Sequence, residues 1–311
     1  MKFRTLGRTG LQVSELGFGS VEIGMEYGIQ VDGASNQPTH EDAIAIVQAV
    51  IDRGINVIDT ARGYGKSETI IGEAIEDRRD ELIVMSKISG LNEVQSSDQL
   101  KSFITESLET SLRELRTDCI DVYQIHSATN EMIAEGHVVE ILEGFRQQGM
   151  VKFLGATVYE EDQALDCIND GRLDVLQIAY SMLAPAMSEA VIPKAAEAGV
   201  AIVARSVLHR GVLTTKGAGG SLEEQRLHQA AQEFSCLFDE QTESLPHAAI
   251  RYVLSNDGVS CALLGMDSMA QVEENLSFGG FDSFSDEQIQ QALALAPNDP
   301  WSILPPTPGK K

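Results

Sequence analysis

Basic residues are scarce in this chain: 23 lysines and arginines stand against 47 acids, a formal net charge of -24 over 311 residues. Nucleic acid and anionic lipid surfaces both call for a basic face, so this balance argues against either partner. An anionic ligand can still bind, but only in a small, locally positive pocket built against the field of the whole protein. Long apolar runs are also missing. No stretch approaches the ~18 consecutive apolar residues of a membrane span, and the N-terminus M-K-F-R-T-L-G has no signal-peptide apolar core; the expectation is a cytoplasmic protein. The four cysteines (Cys119, Cys167, Cys236, Cys261) lie far apart without C-x-x-C spacing, and are expected to be reduced core thiols with no redox or metal role. No G-x-G-x-x-G follows a strand-like run, which counts against a doubly wound dinucleotide-binding sheet.

What the sequence does contain is one alternation, repeated. Apolar, strand-like runs at 16–20, 56–60, 82–87, 120–126, 151–157, 174–180, 200–205 and 261–265 are each followed by a helical pattern. The helices are expected at about 39–53, 67–75, 98–115, 136–148, 160–169, 188–198, 243–255 and 268–276. No compositional break divides the series. Eight uninterrupted βα units make one (β/α)8 TIM barrel, a single domain over residues 1–311, whose chemistry belongs at the C-terminal ends of the strands. Two short runs around Arg8-Thr9-Gly10 predict an N-terminal hairpin over 2–14 that closes the bottom. A loop with an extra helix between 214 and 238, a last helix near 286–296 and the tail 301–311 fall outside the eight units and are candidate lids.

Polar residues fall at the ends of neighbouring strands. Asp59 ends the second strand, Lys87 the third and His126 the fourth, and Tyr64 lies five residues past Asp59 between two glycines. A lysine closing the apolar run L-I-V-M-S needs a partner if it is buried charged, and Asp59 is the obvious one. A charged Lys87 near Tyr64 is expected to pull the phenol below its reference pKa of ~10, making it a usable general acid near neutrality. Taken singly, each residue reads equally as a structural ion pair or a satisfied core histidine; their convergence on one rim carries the functional reading. A Schiff-base role for Lys87, as in a barrel aldolase, conflicts with an adjacent carboxylate that keeps the amine protonated.

The runs N-V-I-D-T-A-R-G-Y-G-K-S-E, V-M-S-K and D-V-Y-Q-I-H, with the opening L-G-R-T-G-L-Q-V-S-E-L-G-F-G-S and the late V-E-E-N-L, resemble the aldo-keto reductase family over nearly the whole chain. The resemblance implies a TIM barrel that binds a nicotinamide cofactor and reduces an aldehyde or ketone, or runs the reverse. Tyr64 is then the general acid, Lys87 and Asp59 tune it, and His126 orients the carbonyl. It further implies a cofactor site at Gly19, Ser20, Val21 and Asp59, with Thr157 and Gln177 on the carboxamide. Arg205 and Ser206 would begin a pyrophosphate loop holding Leu208, Arg210, Gly211 and Lys216. Gly265, Ser268, Gln271, Glu274 and Asn275 would take the adenosine end.

This sequence departs from the family pattern at three places. Thr157-Val158 stands where Ser-Asn is usual, Arg205 stands where an aromatic ring usually stacks, and Gly265 and Gln271 replace basic residues that many relatives place on a 2'-phosphate. Arg205 either lies by the nicotinamide, disfavouring its oxidised form, or pairs with an acid. NADP(H) is the expected cofactor and NAD(H) the alternative. The partner is expected to be a small-molecule carbonyl compound, and the chain a monomer or weak homo-oligomer. A cofactor-binding sensory subunit without turnover is the rival from another class. Substrate choice is assigned to loops, with Met25, Tyr27 and Trp301 as candidate pocket walls.

Overall fold

In the computed structural model, which describes residues 1–31, 35–94, 97–277 and 282–298, the chain opens with an antiparallel hairpin. Its strands are β1 (Phe3–Thr5) and β2 (Gln12–Ser14), with Phe3 opposite Ser14. Eight strands follow: β3 (Leu16–Gly19), β4 (Val57–Asp59), β5 (Ile83–Ile88), β6 (Ile120–Ile125), β7 (Val151–Thr157), β8 (Val175–Ala179), β9 (Ala201–Arg205) and β10 (Val259–Gly265). Each pairs in parallel with its sequence neighbour, and β10 closes the ring on β3, with Leu264 opposite Phe18. The helices are α1 (Val21–Gly24), α2 (His40–Asp52), α3 (Ser67–Ala74), α4 (Ser97–Glu114), α5 (Asn130–Glu135) and α6 (His137–Gln147), then α7 (Glu161–Asp170), α8 (Val191–Glu197), α9 (Leu222–Ala231), α10 (Leu245–Leu254), α11 (Met269–Leu276) and α12 (Asp286–Leu295).

Side chains alternate across a strand, so residues two apart share a face. Val57, Ile83, Met85, Val122, Val175, Val203, Cys261 and Leu263 point into the barrel and pack with Leu6 and Val13 of the hairpin segment. The hairpin therefore closes the bottom with apolar side chains, each fully buried one contributing about 1.5–3 kcal/mol. Alternate residues face outward onto the helices in one continuous second cluster that includes Ile58, Val84, Tyr123, Leu176, Ile202 and Ala262. Continuing the inward parity by one step up each strand reaches Asp59, Lys87, Gln124, Thr157, Gln177, Arg205 and Gly265. The polar layer is thus the next layer above an apolar plug.

Local signals explain the helix starts. The Thr39 hydroxyl accepts from the Asp42 amide at 3.2 Å, and α9 and α12 open with reciprocal capping boxes at Ser221 and Ser285. Two elements were not foreseen. The loop expected after β3 begins with α1, and α5 sits between β6 and α6, capped by the Thr129 hydroxyl; both are too short for periodicity to reveal. β10 starts at Val259, two residues before the expected run. All four cysteines are free, but only Cys167 and Cys261 are buried; Cys119 is half-buried and Cys236 exposed, so the expectation of four core thiols holds for two. The 214–220 segment does reach the top rim, where Gly219 and Gly220 pack on Val31 and Ile29. The helix α12 packs against the turn 232–237, and the tail 301–311 lies outside the described residues. Among the described residues no helix is long and apolar enough to cross a membrane.

Candidate active site

The three strand-end residues and the tyrosine meet. Lys87 is wholly buried and its Nζ donates to Asp59 Oδ2 at 2.6 Å and to the Thr60 carbonyl at 2.8 Å. It lies 3.5 Å from the Tyr64 hydroxyl and 4.8 Å from the centre of that ring. The rings of Tyr64 and His126 meet edge to face, 5.9 Å between centroids. Tyr64 is held by its loop: its amide bonds to Ala61, and its carbonyl accepts from the Ser67 amide. Gly24 of α1 lets that loop approach, since a Cβ there would stand 2.0 Å from the Tyr64 carbonyl oxygen. The rest of the motif is structural. Ser20 donates to the Asp59 carbonyl at 2.8 Å, Ser67 donates to Ser20 Oγ at 2.6 Å, and buried Glu68 accepts from Ser86 at 2.6 Å and pairs with Arg62.

Burial sets the protonation states. It lowers the Lys87 pKa, partly opposed by Asp59, and pushes His126 down to about 3, helped by Lys87 and Arg205. The imidazole is therefore neutral across the working pH range. For Tyr64 the structure reverses the expectation: burial first, and the Asp59 charge second, push the phenol above its ordinary value. The cation that opposes them is Arg205, and it does not outweigh burial and Asp59. Tyr64 is consequently a phenol at neutral pH, with its proton in place.

A cavity at the C-terminal ends of the strands is lined by Asp59, Tyr64 and His126, with Lys87 behind them. Gly19, Ser20, Val21, Thr157, Gln177, Arg205, Ser206, Leu208, Arg210, Gly211, Lys216, Gly265, Gln271, Glu274 and Asn275 also line it. Ser268 does not; its hydroxyl caps α11 by accepting from the Gln271 amide at 3.4 Å. Gln177 is tied inward, its Nε2 donating to Asp59 Oδ1 at 2.8 Å. The Thr157 hydroxyl accepts from the Ser127 amide at 2.8 Å, fixing the left-handed turn just after His126. Tyr27 lines the cavity and Met25 does not, while Trp301 lies outside the described residues.

Arg205 takes neither course expected of it in full. Its guanidinium sits 4.5 Å over the ring of Tyr159 and donates to the Val158 carbonyl at 3.2 Å and to Ser206 Oγ at 3.3 Å. It is thus secured by an aromatic face and a carbonyl rather than by an acid. Val158, expected to matter for a missing amide, is fully buried in the core. With Arg210 and Lys216, Arg205 concentrates cations on the β9 side of the cavity in a chain of formal charge -24. That donor set fits the pyrophosphate and carboxamide of a nicotinamide dinucleotide.

Five contributors were missed. Ser89 Oγ accepts from the Gly63 amide at 3.1 Å and meets His126 Nδ1 at 3.0 Å. Gln124 Nε2 donates to Asp59 Oδ1 at 3.3 Å. Tyr159 carries Arg205, and Glu22 and Asp267 line the cavity beside Gly265 and Lys216. Only Gln124 had a readable signal, lying two residues before His126 on the inward parity.

Comparison with known proteins agrees with this geometry. The profile of the Aldo/keto reductase family matches residues 15–296. The holo form of aldo-keto reductase AKR11C1 from Bacillus halodurans superposes with a TM-score of 0.78 at 25% identity, covering 96% of this chain and 97% of that one. L-galactose dehydrogenase of Arabidopsis thaliana is 27% identical, covering 97% of each chain. The NADH-specific methylglyoxal reductase of Escherichia coli is 26% identical, covering 95% of this chain and 99% of its own.

Proposed function

The chain belongs to the aldo/keto reductase family, and from that premise we propose that it is a nicotinamide-dependent oxidoreductase that interconverts an aldehyde or ketone and its alcohol. The observation that carries the reading is the approach of the Lys87 ammonium to within 3.5 Å of a protonated Tyr64 hydroxyl at the cavity floor. A nicotinamide dinucleotide held by this cavity would supply the hydride to the carbonyl carbon, or accept it in reverse. Tyr64 gives its proton to the carbonyl oxygen as negative charge develops there, and Lys87 stabilises the phenolate left behind. Asp59 fixes the lysine against the cost of its burial.

His126 acts as a neutral donor. In this reading the Ser89 hydroxyl, which accepts from the Gly63 amide, donates to His126 Nδ1, leaving the imidazole's own proton on Nε2. That tautomer offers a hydrogen bond to the carbonyl oxygen beside Tyr64. The names of two relatives, an L-galactose dehydrogenase and an NADH-specific methylglyoxal reductase, support oxidoreduction of a sugar or a small carbonyl compound.

The test is Tyr64→Phe, assayed with both reduced dinucleotides over a panel of aldehydes and ketones. Turnover is expected to fall by at least a hundredfold while dinucleotide binding persists. Undiminished turnover in this variant would sink the mechanism, and absence of turnover in the parent across the panel would favour a sensory subunit.

A further inference from the structure

We propose that the adenosine end of this cavity selects NAD(H) over NADP(H), with Asp267 as the discriminating residue. The inference rests on the proposed function, and it reverses the cofactor order expected from sequence. Hydride transfer at Tyr64 and His126 fixes the nicotinamide end. The cations Arg205, Arg210 and Lys216 occupy the β9 rim and the segment that follows it. The remaining lining, Gly265, Asp267, Gln271, Glu274 and Asn275, lies on the end of β10 and on α11, and takes the adenosine.

The charge at that end is negative. Asp267 has 9% of its side chain exposed and is paired through Oδ2 with Lys216. Glu274 lines the same wall, and Glu22 stands against Gly265, where a Cβ would come within 2.1 Å of Glu22 Oε1. Glu22 Oε2 is buried without a hydrogen-bond partner, so the cavity holds an unsatisfied acceptor beside the ion pair. The Asp267 amide is already committed, donating to Gln271 Oε1 at 2.9 Å, while Ser268 Oγ caps α11 by accepting from the Gln271 amide.

A 2'-phosphate brings a charge of about -1.5 to -2 at neutral pH to a wall where Asp267 neutralises Lys216 and Glu274 adds a further carboxylate. A ribose 2'-hydroxyl brings a donor, which a carboxylate accepts. The same residues that repel the phosphate therefore bind the sugar.

The experiment is equilibrium titration of the full chain with NADH and with NADPH, read by dihydronicotinamide fluorescence in the absence of substrate. Competition by adenosine 5'-monophosphate and by adenosine 2',5'-bisphosphate isolates the adenosine end. We expect NADH to bind at least tenfold tighter than NADPH, and the bisphosphate to compete less well than the monophosphate. Asp267→Asn frees Lys216 and should narrow the NADPH-to-NADH Kd ratio at least tenfold, while Asp267→Glu preserves the order. Glu274→Gln, at an exposed position of α11, should shift the ratio in the same direction by a smaller factor without risk to folding. Equal or tighter NADPH binding by the parent overturns the inference and leaves the proposed function standing, as does a ratio unmoved by both neutralising variants. Failure of both dinucleotides to bind overturns the two together.

Discussion

Replacing Asp59 by asparagine strips the buried Lys87 ammonium of its charge partner while preserving the shape of the site. Lys87 is wholly inaccessible and its Nζ has Asp59 Oδ2 at 2.6 Å and the Thr60 carbonyl at 2.8 Å; after the substitution only neutral acceptors remain. Breaking one side of a buried pair costs about 3–5 kcal/mol, because the surviving charge is left desolvated. The unfolding entropy of a 311-residue chain converts this loss into a fall in Tm of about 5–8 °C. Asp59 Oδ1 also accepts from Gln177 and Gln124, and an amide, with one accepting and one donating end, cannot serve both the glutamines and Lys87, so the upper half of the range is expected.

The pH dependence carries a definite sign. In Asp59→Asn the folded-state pKa of Lys87, already lowered by burial, falls further below its unfolded value. Between those two values the unfolded chain holds the extra proton, so stability rises with pH and the deficit shrinks toward alkaline conditions. Calorimetry of the parent, Asp59→Asn and Asp59→Asn/Lys87→Met at pH 7 and 9 reads both effects. Removing the stranded amine should recover stability, making the double variant more stable than the single one at pH 7. A single variant melting within about 1 °C of the parent, or a double variant in which the two losses add, refutes the reasoning.

Two further outcomes follow from the protonation states. Because burial holds His126 down to about 3, the kcat profile should show no imidazole limb between pH 5 and 8, and His126→Ala should lose about a hundred- to thousandfold in kcat as a missing oxyanion donor does; a limb near 6–7 that disappears in the variant contradicts the neutral tautomer. Burial, with Asp267 adding and Lys216 opposing, raises Glu22 from 4.5 to about 7, so the folded state keeps a proton that the unfolded state has released. Stability contributed by that proton therefore declines as pH rises through this window, by at most about 3 kcal/mol, and Glu22→Gln should flatten the difference in urea midpoint between pH 5 and 8. An unchanged slope counts against it.

The barrel was legible because its two signals reinforce each other: the strands are short apolar runs at regular spacing, and helix starts carry caps such as Thr39, Ser244 and Ser268. The polar cluster at the strand ends was legible for a related reason. Asp59 follows Val57, and Lys87 follows Met85, by two residues on one inward face, so position along the strand reports depth in the barrel. The direction of the Tyr64 shift was not legible, because it depends on how deeply a loop residue is enclosed and on which of two opposite charges prevails. Neither α1 nor the Gly24 approach that encloses Tyr64 has a periodic signature.

Loop partners share that opacity, and they decide the unusual half of the site. Thr157 is visible as a hydroxyl at a strand end, yet its use, accepting from Ser127 and so setting the turn after His126, depends on the β6–β7 register. Arg205 is visible as a cation where the family places a ring. That the ring is supplied instead by Tyr159, from the adjoining loop, depends on two strand ends lying apart by one neighbour in the barrel, β7 and β9 flanking β8. The guanidinium so held presents a fixed positive charge at the rim where the nicotinamide reading requires the ring to lie. A cation there opposes an oxidised nicotinamide and leaves the neutral reduced ring unaffected, so, on the proposed function, the same contact that anchors Arg205 should make the reduced cofactor bind more tightly than the oxidised one.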